Sequence, residues 1–277
     1  MTINVAVCIK QVPNTNRVKI DKKTGTLIRK GIASICNPDD KNALEEALKL
    51  KDNNEDVKIT VLSMGPSQAA IVLKEALAMG ADRGILLSDR KFAGSDTLAT
   101  STILAAALRK IGEQEKKNKK NGLDIIFCGN QAIDGDTAQV GPQIAQHLDL
   151  PIVSYVQEFE YLRNKIIAKR ALENGYMKIE SRIPVVITTI NNLNTPRYPH
   201  IGRIFDVYGK NPKIQIETWT AEDLPDLDQT QIGLSGSPTR VRRIFTPDRT
   251  FHGEILKGDP IHIAKLLVDR LKQKQII

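Results

Sequence analysis

Apolar residues in the first 150 positions follow two alternating rhythms. Short runs rich in Val and Ile, "INVAVCI", "DVKITVLSM", "GILLS" and "LDIIFCG", read as buried strands. Between them, apolar positions recur at three- and four-residue spacing, the signature of a helix with one buried face. In "DDKNALEEALKLKD", Ala43, Leu44, Ala47, Leu48 and Leu50 share such a face. Asn37 or Asp39 is a candidate cap, and Pro38 takes the entry. "PSQAAIVLKEALAMGA" predicts a second helix stopped at Gly80, "DTLATSTILAAALRKIG" a third, and "DTAQVGPQIAQHLDL" a fourth that closes at Pro151. Strand–helix alternation with short connections predicts an α/β fold. Its core is a parallel twisted sheet, Rossmann-like, with helices on both faces.

The rhythm then changes. Residues 152–190 hold three strand-like runs, "IVSYVQEFEYL", "KIIAKRAL" and "YMKIESRIPVVITTI", with Asn174–Gly175 as a hairpin signal. They predict an antiparallel extension of the sheet. From about 211 periodicity is lost, and so long a connection is unusual inside a compact domain. Residues 1–210 therefore read as one nucleotide-binding domain and 211–277 as an extended C-terminal arm. The arm ends in an amphipathic helix, "DPIHIAKLLVDRLKQKQII", where Asp259 caps, Pro260 takes the first turn, and Ala264, Leu267, Val268 and Leu271 share a face. Such an arm either embraces a partner subunit or folds back on its own domain.

Composition narrows the function classes. A chain of 277 residues can bury one good core, and 41% hydrophobic with 26% charged residues is ordinary for a soluble globular protein. The net charge of +8 is spread along the chain. Its densest run, "EQEKKNKKNG" at 113–122, reads as a solvated loop rather than a nucleic-acid patch. With aromatics at only 4%, base stacking is disfavoured and no nucleic acid partner is expected. A basic face that meets an acidic protein stays open. No stretch approaches a membrane span, and the N-terminus reads as a first strand rather than a secretory signal, so a cytoplasmic location is expected. Cys8, Cys36 and Cys128 show neither a CxxC pair nor zinc-ligand spacing with histidine. His147, His200, His252 and His262 form no catalytic set. Neither a catalytic residue nor a metal site is expected.

Candidate chemistry lies where strands end, because ligands of open parallel sheets bind beyond the carboxyl ends. Loops leave after Ile9, Ser63–Met64, Leu87 and Cys128, and "NPDD" at 37–40 can join them. Each can present free N–H groups at a helix start, where an anion is favoured. "GNQAIDGDTAQVGP", residues 129–142, is the most distinctive. With Thr137 opening the helix, the amides of 135–140 can hold a pyrophosphate without any lysine. Asp134 and Asp136 then accept ribose hydroxyls or cap the helix, and Gly135 lets the backbone come close. The same spacing also describes a capped, glycine-softened turn with no ligand. Neither a P-loop nor GxGxxG is present. "SDRKFAGSDT" repeats the grammar, and two such loops on neighbouring strands enclose a dinucleotide.

These residues resemble the beta subunit of electron-transferring flavoproteins. The likeness runs in order through "CIKQVP", "NPDDKNALEEALKLK", "VLSMGPSQA", "EALAMGADRGILL", "GNQAIDGDTAQVGP" and "AKRALENGYMKIESRIPVVITTINNLNTPRYP", nearly the whole chain. It implies a domain of the adenine nucleotide hydrolase-like kind whose arm embraces an alpha subunit. Cys8, Asn37, Asp39, Asp40 and Met64 match the family's nucleotide site. So do Gly129, Asn130, Gln131, Asp134, Gly135 and Asp136, followed by Thr137, Ala138, Gln139 and Val140. Ordinary members hold AMP there; electron-bifurcating members hold the ADP part of an FAD that takes hydride from NADH. "SDRKFAGSDTLATS", with Asp89, Arg90, Gly94, Ser95, Asp96 and Thr97, resembles the loop that bifurcating members place over this flavin, and "DGDTAQVG" resembles their phosphate loop. The resemblance thus implies electron bifurcation. One electron goes to an alpha-bound FAD and on to a flavin dehydrogenase of the acyl-CoA dehydrogenase type; the other goes to ferredoxin or flavodoxin. "NNLNTPRYP" resembles the recognition loop, near 191–199, that docks on the dehydrogenase, with Leu193 as anchor beside Asn194, Pro196, Arg197 and Tyr198. The alternative for Leu193 is a side chain folded onto its own sheet. Two rival functions stand beside bifurcation: an AMP-holding electron shuttle without NADH activity, and a free-standing adenine-nucleotide sensor.

Overall fold

A computed structural model of the chain describes residues 2–14, 33–117, 122–240 and 253–277. Contacts divide it into two compact units, Met1–Arg240 and Val241–Ile277. The first opens with β1 (Ile3–Cys8), followed by a short antiparallel pair, β2 (Gln11–Pro13) and β3 (Ser34–Cys36). Then come α1 (Pro38–Asp52), β4 (Val57–Met64), α2 (Ala70–Met79), β5 (Arg83–Leu87), α3 (Thr97–Lys117), β6 (Ile125–Gly129) and α4 (Val140–Leu148). Three long strands follow, β7 (Ile152–Leu162), β8 (Lys165–Leu172) and β9 (Gly175–Arg182), then β10 (Val185–Thr189) and α5 (Ile201–Tyr208). The edge strand β11 (Ile216–Trp219) and the short α6 (Gly233–Gly236) complete the unit.

Among the described residues, nine strands form one sheet in the order β11-β5-β4-β1-β6-β10-β7-β8-β9. It is parallel from β11 to β7 and antiparallel through the two hairpins beyond. Successive residues of β1 explain the two layers. Val5 and Val7 meet Leu44, Leu48, Leu73 and Leu77 of α1 and α2. Ala6 and Cys8 join the opposite core with Ile103 and Leu108 of α3 and Ile144 of α4. A strand covered on both faces must be apolar throughout, which is why these strands read as unbroken runs. Strand order reverses at β1, with β4 on one side and β6 on the other. The crevice beyond Cys8 and Gly129 is therefore the switch point of the sheet, where such folds bind ligands.

Three expectations change. The third run of the predicted antiparallel extension is two strands. It breaks at the cis Ile183–Pro184 bond, and β10 inserts parallel between β6 and β7. The reason is burial: Val185–Thr189 is covered on both sides, as a central strand demands, whereas β9 is largely exposed. The basic run 113–122 is not a loop from its start, because α3 continues to Lys117, where buried Glu115 pairs with Lys58 across to β4. Residues 118–121 of that run lie outside the described residues. Finally, the chain beyond 210 still belongs to the first unit as far as Arg240. β11 pairs with β5, and Trp219, Leu224, Leu227 and Ile232 enter the α3-side core one anchor at a time. Single anchors leave no periodicity to read. In the second unit, α7 (Pro260–Gln273) starts as expected, with the Asp259 carboxylate accepting the N–H groups of Ile261 and His262.

Candidate functional site

One buried carboxylate ties the switch-point crevice together. Asp40, in the first turn of α1, accepts the Lys10 N–H on Oδ2 at 2.7 Å. Its Oδ1 accepts the Gly129 N–H at 3.1 Å and the Asn37 side-chain amide at 3.0 Å. Asn37 stands at the N-cap without capping. Its amide also donates to the Gln131 carbonyl at 2.8 Å, and its Oδ1 accepts the Ile133 N–H at 3.1 Å. The Thr189 hydroxyl donates to the Asp39 carbonyl at 3.1 Å. Three segments, the exits of β1, β6 and β10, thus converge on residues 37–40 at the start of α1. Cys8 and Cys128 face each other in register just below, both buried, and half-buried Met64 closes the β4 side.

Burial pushes the Asp40 carboxyl up to about 7, against the Asn37 amide, the Lys10 N–H and the Lys10 charge, which pull it down. A carboxyl raised on folding takes up a proton between its unfolded and folded values. Its stabilising share is full below 3.8 and lost as pH climbs to about 7. In Asp40→Asn that slope disappears. The new NH₂ also turns toward the N–H of Lys10 or Gly129, costing about 1–3 kcal/mol. Urea unfolding of both proteins at several pH values between 4 and 8 checks both outcomes.

The 129–142 loop departs from its expected geometry in an instructive way. Helix α4 begins at Val140, not Thr137. Pro142 dictates this: it lacks an N–H and is tolerated only in a first turn, so a helix from Thr137 would carry it in the interior. Thr137–Gln139 stay irregular, and Asp136 (φ 50°) and Ala138 (φ 51°) adopt left-handed backbone. Alternating hand of this kind turns successive N–H groups toward one concavity, an anion nest. The amides of Gly135 and Asp136 bond to the Ala132 carbonyl at 3.1 and 2.8 Å. The amides of Thr137, Ala138, Gln139, Val140 and Gly141 meet no acceptor among the described residues.

Asp134 and Asp136 have different fates. Asp134 forms a 2.6 Å ion pair with Lys10 and is nearly buried, so it braces the loop against the exit of β1. Asp136 is exposed. Sequence reading missed Lys10; a lone lysine directly after the first strand, in "CIKQVP", was the available signal.

The 89–97 loop is used differently from expectation. Asp89 accepts the N–H groups of Lys91 and Ala221 at 2.9 and 3.0 Å. Ser95 Oγ accepts the Gly233 N–H at 3.0 Å. Asp96 accepts the N–H groups of Ala99 and Thr239, both at 3.0 Å, and the Thr239 hydroxyl at 2.7 Å. A carboxylate of the chain itself therefore takes the Ala99 N–H in the first turn of α3, beside the Thr97 start that the spacing indicated. Gly94 takes φ 76° with Leu234 packed on it, and Arg90 is exposed. The loop still reaches the crevice at one point: the Thr97 hydroxyl donates to Gln139 Oε1 at 2.9 Å.

The 191–199 segment is clamped to α1. Asn194 exchanges hydrogen bonds with Asn42 and donates to Glu46 at 2.8 Å. Arg197 forks onto Glu45 and reaches Asp52 at 2.6 Å. Leu193 is half-buried against the α1-side core, next to half-buried Pro196, whereas Tyr198 is 92% exposed.

A family profile described as "Electron transfer flavoprotein domain" matches residues 24–224. The chain belongs to the electron transfer flavoproteins. It is 50% identical to the electron transfer flavoprotein subunit beta of Thermoanaerobacterium thermosaccharolyticum over 275 residues, covering 99% of this chain and 100% of that one. It is 48% identical to the caffeyl-CoA reductase-Etf complex subunit CarD of Acetobacterium woodii over 276 residues, 99% of this chain and 100% of CarD. To protein FixA of Sinorhizobium fredii it is 42% identical over 248 residues, 88% of this chain and 84% of FixA. It is thus an electron transfer flavoprotein beta subunit, a kind of chain that pairs with an alpha subunit and works with dehydrogenases. No helix among its described residues is long and apolar enough to cross a membrane.

Proposed function

We propose that this beta subunit holds FAD in the switch-point crevice and, with its alpha subunit, accepts hydride from NADH and bifurcates the electrons. One goes through the alpha-bound FAD to a flavin dehydrogenase of the acyl-CoA type, the other to ferredoxin or flavodoxin, in the cytoplasm. The observation that carries this reading is the row of five main-chain N–H groups from Thr137 to Gly141 that meet no acceptor among the described residues. A row that long suits two adjacent phosphates better than one, and its donors carry no competing side-chain charge.

The residues present fit the group. Gly135 borders the nest with nothing within 4 Å of the place a Cβ would take, so a ligand can lie against the backbone there. Lys10 and Asp134 fix the loop, and Asp40 fixes the start of α1 against Gly129. Asp136, exposed beside the nest, is free to accept a ribose hydroxyl. Bound FAD supplies the redox chemistry, two-electron acceptance and one-electron release; the chain supplies position and electrostatics. The acyl-CoA partner draws support from two relatives, one named for a caffeyl-CoA reductase complex, the other, 44% identical, an acryloyl-CoA reductase electron transfer subunit of Anaerotignum propionicum.

The test is flavin and nucleotide content of the purified alpha–beta heterodimer, followed by anaerobic NADH titration. Two FAD per heterodimer and bleaching of both by NADH are expected. One FAD together with AMP, and no bleaching, overturns the proposal in favour of a plain electron shuttle.

A further inference from the structure

The 89–97 loop takes its shape from a distant piece of chain. Residues 232–239 lie along it as a strap, bonded over most of its length. The Leu234 N–H reaches the Ala93 carbonyl at 3.1 Å, and the Gly233 N–H reaches Ser95 Oγ at 3.0 Å. Buried Ser237 accepts the Asp96 N–H on Oγ at 2.9 Å. Its hydroxyl donates to the Gly233 carbonyl at 2.6 Å, with the Gly94 carbonyl at 3.3 Å. Thr239 closes the strap, giving both its N–H and its hydroxyl to Asp96. The approach leaves no slack: Gly233 takes φ 64°, and a Cβ there would lie 2.3 Å from the Lys91 carbonyl oxygen. From this strapped loop the Thr97 hydroxyl reaches across to Gln139 of the nest at 2.9 Å.

Two different parts of the chain therefore hold the two ends of the nest. Lys10 braces Asp134 at one end, beside the Asp40 floor, and Thr97 holds Gln139 at the other. A mononucleotide needs only the N–H row and the first support. A dinucleotide continues past its diphosphate and needs chain beyond the row. At the Gln139 end that chain is the strapped loop, where Leu98 and Leu234 are 40% and 58% exposed and Leu234 packs on Gly94. Exposed leucines suit a flat apolar ring rather than a phosphate or a ribose. We infer that Ser237 and Thr239 are positioning residues that select a dinucleotide over a mononucleotide. The strap sets the 89–97 loop, and the loop sets Gln139 through Thr97. Specificity is a difference of affinities, and a loop ordered beforehand adds only to the affinity of the ligand long enough to reach it. The inference rests on the FAD reading above and names the residues that favour FAD over its own ADP part.

The experiment uses the alpha–beta heterodimer stripped of nucleotide, titrated with FAD by fluorescence and with ADP by calorimetry. In Ser237→Ala the Asp96 N–H loses its acceptor. FAD affinity should fall about tenfold while ADP affinity stays within about twofold. Thr239→Val, at an exposed position, removes one hydroxyl bond and should weaken FAD alone by about threefold, with Thr239→Ser restoring it. Thr97→Val should weaken FAD as well, and adding Ser237→Ala to it should cost little more, because both act along one path. Additive losses overturn the route through Thr97. Equal losses for FAD and ADP reduce the strap to a support of the fold and overturn the inference, as does full FAD affinity in Ser237→Ala and Thr239→Val. Where Ser237→Ala fails to assemble, the exposed Thr239 variants decide by the same comparison of FAD with ADP. Failure of the unaltered heterodimer to bind FAD overturns the FAD reading itself, and the role of the strap with it.

Discussion

Gly129→Ala is expected to destabilise the first unit by about 2–4 kcal/mol and to strip the crevice of its nucleotide. A Cβ at 129 would lie 2.1 Å from Asp40 Oδ1, 2.7 Å from the Asp40 nitrogen and 2.9 Å from the Asp39 carbonyl carbon. Two of these three atoms are backbone of the first turn of α1, so no side-chain rotation relieves the clash. Either α1 backs away from the sheet or β6 buckles. Both break the Asp40 bonds to Lys10 and Gly129 at 2.7 and 3.1 Å that close the floor of the site. Because α1 also carries the Asn194 and Arg197 clamps, displacement should loosen the 191–199 segment as well. Thermal unfolding should show a drop of roughly 4–16 °C, at the 2–4 °C per kcal/mol usual for a domain of this size. A variant that melts with the parent and retains nucleotide would refute the close approach.

Gly135→Val separates ligand from fold. Nothing lies within 4 Å of the place its Cβ would occupy, and its φ is one that any residue adopts, so melting of the nucleotide-free protein should be unchanged. With a diphosphate against the loop, the added isopropyl group would fill the space the ligand needs. FAD affinity is expected to fall about 10–100-fold, read by flavin retention on gel filtration and by fluorescence titration of the stripped heterodimer. Gly129→Ala and Gly135→Val thus give opposite signatures, one losing stability with binding and the other losing binding alone. Full flavin retention in Gly135→Val would remove the nest from the site.

Much of the architecture was readable because it is local. β1, β4, β5 and β6 sit where unbroken Val/Ile runs placed them. α1, α2 and the terminal helix sit where three-and-four spacing and the Asn37–Pro38 and Asp259–Pro260 starts placed them. The site was legible as a place: loops after β1 and β6 could only meet at the switch point, and the family motifs lay in them. Individual roles were less legible. Spacing alone starts that helix at Thr137, although Pro142, five residues on, forbids it. Nothing nearby in sequence shows that Asp96 accepts the Ala99 N–H at the start of α3 while also holding Thr239.

What the sequence determined alone is therefore the alternating strands and helices of the first 150 residues, the terminal helix and the family. Each follows from side-chain periods within a dozen residues or from motifs that stand in line. Tertiary structure alone decided which strand entered the middle of the sheet and which aspartate braces the 129–142 loop. β10 sits between β6 and β7 because both its faces find cover there, and Asp134 is a strut because Lys10 meets it from the far side of the chain. It likewise decided which face of α5 looks outward, since docking of Val207 and Arg203 on α2 leaves Phe205 nowhere to be buried. Pairings between distant residues depend on the summed packing of everything between them, and no local pattern in the chain encodes that sum.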